Sequence, residues 1–218
     1  MDERPNRAYH HTQTPCLHLT PSIPNGILGV MDNRAKILDC ALRLFAGQGY
    51  DAVGVQEIVD AAGITKPTLY HYFGSKHGLL EALLEIHFNQ LNQAVRVAAA
   101  YQGDLPATLT RLVNVFFQYA RENPTFYHLQ LALWFAPRDS AAQQVVTRWL
   151  LEQYQAIEGV FIQAAHDHGN MRGRQRAYAT TLTGMVNTYI GMALNGYTQL
   201  DDALVYQAVH QFQHGIYS

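Results

Sequence analysis

From Asp32 to the C-terminus, apolar residues return every three or four positions, and nowhere do they alternate over any length. That period suits α-helices and excludes a sheet, whose strands need a period of two. Ile37, Ala41, Leu44 and Phe45 mark a first helix that stops at Gly47 or Gly49. Residues 55–62 read as a short second helix closed by Gly63, and residues 66–73 as a third with Thr65 as its cap. Ser75 can cap a long fourth helix reaching about Ala100, with Leu79, Leu80, Leu83, Leu84, Phe88 and Leu91 as its apolar face. Asp104 and Pro106 open a fifth. Asn123 and Pro124 end it and open a sixth, because proline is tolerated in a first turn and not deeper. Residues from about 139 to 167, 174 to 195 and 201 to 215 complete the series. The expected fold class is all-α.

Residues 1–30 differ. They hold Pro5, Pro15, Pro21 and Pro24, with His10, His11 and His18, and no period survives there. They read as a disordered tail, or as an upstream over-extension of a chain that starts at Met31. A DNA-touching arm is a further reading, weakened because Asp2 and Glu3 balance Arg4 and Arg7. The whole chain is not disordered, since 48% of it is apolar and only 15% charged. Cys16 and Cys40 are too few and too ill-spaced for a disulfide framework or a cysteine zinc site. No run of 18 apolar residues and no secretory pattern is present, so a cytoplasmic protein without membrane association is expected. The net charge of −2 gives no general attraction for nucleic acid. By segment, residues 31–80 are neutral: Arg34, Lys36, Arg43, Lys66 and Lys76 face Asp32, Asp39, Asp51, Glu57 and Asp60.

The most informative stretch is LFAGQGYDAVGVQEIVDAAGITKPTLYHYFGSKHGLL, residues 44–80. Two short helices joined by Gly63-Ile64-Thr65 have the spacing of a helix-turn-helix, in which a left-handed glycine ends the first helix. The second then stands at a steep angle with its N-terminal end free for a major groove. Thr65 and Thr68 are short hydrogen-bonders, and Lys66 can reach a guanine edge or a phosphate. Tyr70, His71 and Tyr72 carry polar tips suited to phosphates and sugars, and Lys76 adds another cation.

These residues resemble the DNA-binding domain of the TetR/AcrR family of transcriptional regulators. The likeness is carried by Ala41, Leu44, Phe45, Gly49-Tyr50, Ile58, Ala62-Gly63-Ile64, Leu69-Tyr70-His71-Tyr72-Phe73, Ser75-Lys76, Leu79 and Leu80. The resemblance implies that Thr65, Lys66, Pro67 and Thr68 face bases and that Tyr70, His71 and Lys76 grip the backbone. Leu69, Phe73 and Ile58 would be core. Where the family usually has Ser or Thr, this chain has Gly54, which keeps a usable cap and loses a hydroxyl contact to phosphate. The implied organisation is a DNA-binding domain over 31–80, with its helix-turn-helix at about 54–73, and an effector-binding and dimerisation domain over 81–218.

The larger part shows no motif. Phe116, Tyr127, Trp134, Trp149 and Tyr154 are candidates for the lining of an effector cavity, with ordinary core as the alternative. Leu182, Val186, Tyr189 and Ile190 on one helix, and Val205, Val209 and Phe212 on the next, are candidates for a dimer interface, with packing inside one chain as the alternative. His210 and His214, four apart, and His166 and His168 lack a third ligand, so no metal is expected. No cofactor is expected either, and no Glu-x-x-His pair, GxSxG, P-loop, HExxH or GxGxxG points to an enzyme. The expected function is a homodimeric repressor of a near-palindromic double-stranded DNA operator, released by a small apolar or aromatic effector. The alternative is a helical ligand-binding or interaction protein with a weakened DNA head.

Overall fold

The computed structural model describes residues 33–215, so the readings of residues 1–30 lie outside the described residues. The described residues form helices and turns without a strand. In order they are α1 (Asn33–Gln48), α2 (Val55–Ala62), α3 (Lys66–Phe73), α4 (Lys76–Ala98), α5 (Leu105–Glu122), α6 (Pro124–Trp134), α7 (Ala141–Asp167), α8 (Gln175–Leu194) and α9 (Asp202–His214). A single 3-10 turn, Gly169–Met171, precedes α8.

Local chemistry sets the boundaries. Ser75 Oγ accepts from the Gly78 N–H at 3.0 Å and starts α4; Asp104 Oδ1 accepts from Ala107 at 2.9 Å and starts α5. Ser140 and Asp201 do the same for α7 and α9. Each satisfies one of the amide donors that a helix start leaves without an internal partner. Pro124, in the first turn of α6, needs no donor there.

The small helices α1–α3 gather around Ile37, Ala41, Phe45, Ile58 and Leu69, all fully buried. Leu44, expected on the α1 core stripe, is half-buried, and Cys40 is buried instead, its thiol 3.5 Å from the Ala61 carbonyl. Helix α4 serves both parts of the chain. Leu79, Leu80, Leu83 and Leu84 are buried near its start, and Phe88, Leu91 and Val95 farther along. The expected division at residue 80 therefore falls inside a continuous helix. Phe88 stacks on Trp149 of α7, centroids 5.8 Å apart, and meets Phe126 of α6 edge-on at 5.2 Å.

In the larger part, α4 packs on α5 and α7, α7 on α8, and α5 on α9. Helix α6 packs against both α1 and α7, and so joins the small helices to the larger bundle. His87 marks this junction: its ring stacks on Phe126 at 4.2 Å and its Nδ1 lies 3.0 Å from the Tyr119 hydroxyl. The same hydroxyl lies 3.0 Å from the His87 carbonyl, which can only accept; with its hydrogen on that carbonyl, Nδ1 is the donor in the ring contact. Burial lowers the His87 pKa below its ordinary value and raises that of Tyr119, so burial disfavours the charged form of each.

Candidate functional site

The turn between α2 and α3 has the expected geometry. Gly63 sits at φ 63°, ψ 40°, its N–H bonding the Asp60 carbonyl, while the Ile64 N–H reaches back to Val59 at 3.0 Å. This paired closure is the Schellman motif. Only glycine takes the left-handed conformation without strain, which is why residue 63 can redirect the chain within two residues. Thr65 is extended at φ −103°, ψ 157°, as a cap residue should be. Its hydroxyl does not cap the helix; it pairs with the Thr68 hydroxyl at 3.0 Å.

Helix α3 is held from one side. Leu69 is fully buried, and half-buried Phe73 lies 5.6 Å from the Arg34 guanidinium. Thr65, Lys66, Pro67, Tyr70 and His71 are exposed, with Thr68 half-exposed. Lys66, Pro67, Tyr70 and His71 follow the spacing of a helix face, so the anchored helix presents a ridge of cationic, hydroxyl and imidazole groups. Tyr72 is also exposed, to one side of that ridge.

Two positions behave differently from expectation. Lys76 is not a free cation reaching outward. Its Nζ donates to the carbonyls of Tyr50 at 3.0 Å and Val53 at 2.9 Å, and lies 4.3 Å from the Tyr50 ring centroid. It braces the α1–α2 loop against the start of α4, leaving one ammonium proton for other partners. Burial, and then the Asp51 charge, raise the Tyr50 pKa, so its ring stays neutral under the lysine. Gly54, at φ −87°, ψ 154°, occupies the cap of α2 with no side-chain hydrogen bond, and a Cβ placed there would meet nothing within 4 Å.

A cavity of about 730 Å3 lies between α5, α6, α7 and α8. That volume falls in the range of about 300–1,000 Å3 that holds a small organic ligand. Of the candidate lining residues, Phe116, Trp134 and Tyr154 border it. Tyr127 and Trp149 do not, and those two assignments are corrected. Trp149 turns toward Phe88, and the Arg148 guanidinium lies 4.9 Å from the Trp149 ring centroid. Tyr127 lies fully buried behind the wall and donates to Asn187 Oδ1 at 2.9 Å. Burial raises its pKa, offset in part by its contact with Gln130, so it remains a protonated donor.

The polar wall residues Gln130, Gln153, Thr183 and Asn187 were not singled out from the sequence. A signal existed for Gln130, a lone polar residue in the apolar run Leu129-Gln130-Leu131; Gln153, Thr183 and Asn187 have polar neighbours in sequence and gave none. Trp134, Phe135 and Leu151, all exposed, form an apolar rim.

The expected dimer stripe is also corrected. Leu182, Val186, Ile190, Val205 and Val209 are buried within the single chain, and Leu182 and Val186 border the cavity. Tyr189 meets Phe117 edge-on at 6.4 Å and donates to Gln211, and Phe212 packs on Phe161 at 5.9 Å. Apolar periodicity shows that a helix face is covered and does not name the cover. The outward surfaces of these helices carry Met192, Tyr206 and His210 instead. The rings of His210 and His214 are 4.5 Å apart, and among the described residues no group of three His, Cys, Asp or Glu could hold a metal. No helix of the described residues is long and apolar enough to cross a membrane.

Comparison with known proteins agrees with this geometry. Residues 37–83, which span α1 to the first turns of α4, match the family described as bacterial regulatory proteins, tetR family. The chain is 28% identical over 184 residues to the HTH-type transcriptional activator FasR of Mycolicibacterium smegmatis, covering 84% of this chain and 82% of the relative. It is 35% identical over 100 residues to the HTH-type transcriptional repressor KstR2 of Rhodococcus jostii, about half of each chain (46% and 49%). Among solved structures, FadR of Bacillus subtilis in complex with stearoyl-CoA superposes with a TM-score of 0.70 at 19% identity, covering 84% of this chain and 99% of that one. The TetR family regulator PfmR of Thermus thermophilus gives 0.67 at 20% identity, covering 84% and 99%. A helix-turn-helix anchored as described is what these comparisons share: residues 37–83 carry the DNA-binding segment described for bacterial regulatory proteins of the tetR family, and the bundle behind it has the fold of the solved regulators.

Proposed function

We propose that the protein is an effector-released repressor, acting in the cytoplasm as a homodimer on a near-palindromic operator. The observation that carries this reading is α3, pinned through Leu69 with Lys66, Pro67, Tyr70 and His71 exposed along one face. In the proposed complex Thr65, Lys66, Pro67 and Thr68 meet base edges and Tyr70 and His71 meet phosphates. The open N–H groups at the α2 start, beside Gly54, take a further phosphate. Lys76 contributes mainly by holding that loop in place.

The dimer would form through the outward faces of α8 and α9, around Met192, Tyr206 and His210. The release mechanism rests on α6. Gln130, Leu131 and Trp134 of this helix border the cavity, and the same helix packs on α1. A ligand that binds better when α6 and α4 are displaced shifts the population toward heads spaced wrongly for DNA. The stearoyl chain bound by Bacillus subtilis FadR suits an apolar cavity of this kind.

The test is a mobility shift on DNA flanking the gene, with and without ligand, and a reporter that rises when the gene is deleted. No shift by folded dimer at modest salt refutes the reading. The second reading, a ligand-binding protein with a weakened DNA head, is favoured only by the missing Gly54 hydroxyl and the internal engagement of Lys76. It predicts that Lys66→Ala combined with Tyr70→Ala changes no regulated expression.

A further inference from the structure

The cavity wall has an unusual pattern of polarity. Gln130 and Gln153 are 2% and 6% exposed, yet Gln130 Oε1 and Gln153 Nε2 have no hydrogen-bond partner, nor has the buried hydroxyl of Thr183. All three residues face the cavity. Buried polar atoms are normally paired, and a cavity that collects several unpaired ones is built for a polar group that arrives later. The set has both signs: Gln130 Oε1 accepts, Gln153 Nε2 donates, and Thr183 can do either. Tyr127 adds to it from behind. By donating to Asn187 Oδ1 it fixes that amide, so the Asn187 nitrogen is left for the cavity.

The wall also lacks charge. Among the described residues, no Lys, Arg, His, Asp or Glu lines the cavity. The basic residues close to it in sequence, Arg148, Arg172, Arg174 and Arg176, are exposed; the Arg176 backbone carbonyl accepts from the Tyr154 hydroxyl at 3.1 Å, and the Arg148 guanidinium lies over the Trp149 ring, which does not line the cavity. An ionised carboxylate or a phosphate brought to the inner wall would lose its hydration and meet no counter-charge. The rim points the same way, since Trp134, Phe135 and Leu151 surround the opening with apolar surface. An entering molecule therefore leaves its apolar part toward the rim and sends its polar group to the glutamines.

We propose that the ligand of this cavity is an uncharged, largely apolar molecule whose polar group both donates and accepts hydrogen bonds, a carboxamide or its equivalent, rather than a carboxylate or a phosphate-bearing thioester. This rests on reading the cavity as the effector site, and the test separates the two claims. Binding of three probes with one tail (decanamide, decanoate and decanoyl-CoA) is measured by calorimetry on the full-length dimer, with displacement of operator DNA read in parallel. Decanamide should bind at least tenfold more tightly than decanoate or decanoyl-CoA. Gln153→Leu and Gln130→Leu should each weaken decanamide at least tenfold while moving decanoate less. Tighter binding of decanoate or decanoyl-CoA overturns the inference, as does absence of decanamide binding or its indifference to both substitutions. Decanamide binding without DNA release upholds the neutral-ligand inference and refutes the effector role of the cavity. Because the probe comparison uses the unaltered protein, it stands even where a substituted chain folds poorly.

Discussion

Replacing Gly54 by Ser tests the reading of the α2 start as a phosphate site. The backbone at φ −87°, ψ 154° is ordinary for serine, and the space for a side chain is empty. A serine here would precede Val55-Gln56-Glu57 and so complete the Ser-x-x-Glu pattern of a capping box. Serine caps a helix better than glycine by a few tenths of a kcal/mol. It also has less freedom to lose on folding, worth about 0.4–1 kcal/mol. The sum, about 0.6–1.4 kcal/mol, corresponds to a rise in Tm of roughly 1–6 °C for a chain of this size. The new hydroxyl also stands where a phosphate would meet the helix start. A net hydrogen bond of about 0.5–1.5 kcal/mol per head, made twice in a dimer, predicts operator binding about 5- to 150-fold tighter at fixed salt. Thermal denaturation and fluorescence anisotropy on an operator duplex read the two effects separately. Gly54→Ala is the control, since it restricts the backbone and supplies no hydroxyl. A folded Gly54→Ser protein with unchanged or weaker DNA binding refutes the phosphate site. A fall in Tm refutes the reasoning about the cap.

Other substitutions test separate links. Gly63→Ala forces a side chain into the left-handed conformation and should cost about 1–2 kcal/mol, read as a lower urea midpoint with weakened operator binding. Lys76→Met strips the Tyr50 and Val53 carbonyls of their donor, so stability should fall by about 1–3 kcal/mol; an unchanged Tm would mean the brace contributes nothing. Phe88→Ala empties the contact among α4, α6 and α7 and should cost about 3–5 kcal/mol in denaturant unfolding. For His87, the folded pKa lies below the ordinary 6.5, so the unfolded chain binds the proton more readily. Its contribution is intact above pH 6.5 and is lost as pH falls from there through the lower folded value. Urea midpoints measured between pH 7.5 and 5 should therefore drop less steeply for His87→Gln than for the unaltered chain.

The helix boundaries were legible because their causes are local. Ser75, Asp104, Pro124 and Gly63 each act within four residues of their own position. The helix-turn-helix was legible for the same reason: the Schellman turn and the single buried anchor Leu69 fit in one short segment. The cavity was only partly legible. Phe116, Trp134 and Tyr154 face it, but Tyr127 and Trp149, of the same chemical type, point elsewhere. The more telling residues, Gln130 and Gln153, are inconspicuous in sequence. They become meaningful only once burial and the absence of partners are known. Most of the α8–α9 stripe, Leu182, Val186, Ile190, Val205 and Val209, is covered inside the chain, because one apolar face can be covered equally well by a neighbour in the same chain or by another chain.

What the sequence determined by itself is the all-helical class, the order and limits of the helices, and the segment built to meet DNA. Period, capping and turn chemistry are short-range, and they are written in consecutive residues. Tertiary structure decided how Lys76 is spent, which aromatics face the cavity, that two buried glutamines stand unpaired beside it, and that α6 touches both the cavity and α1. Each of these depends on which helices pack together across tens of residues. Where long-range packing brings a side chain to rest sets its partners and its solvation, and from those its chemistry.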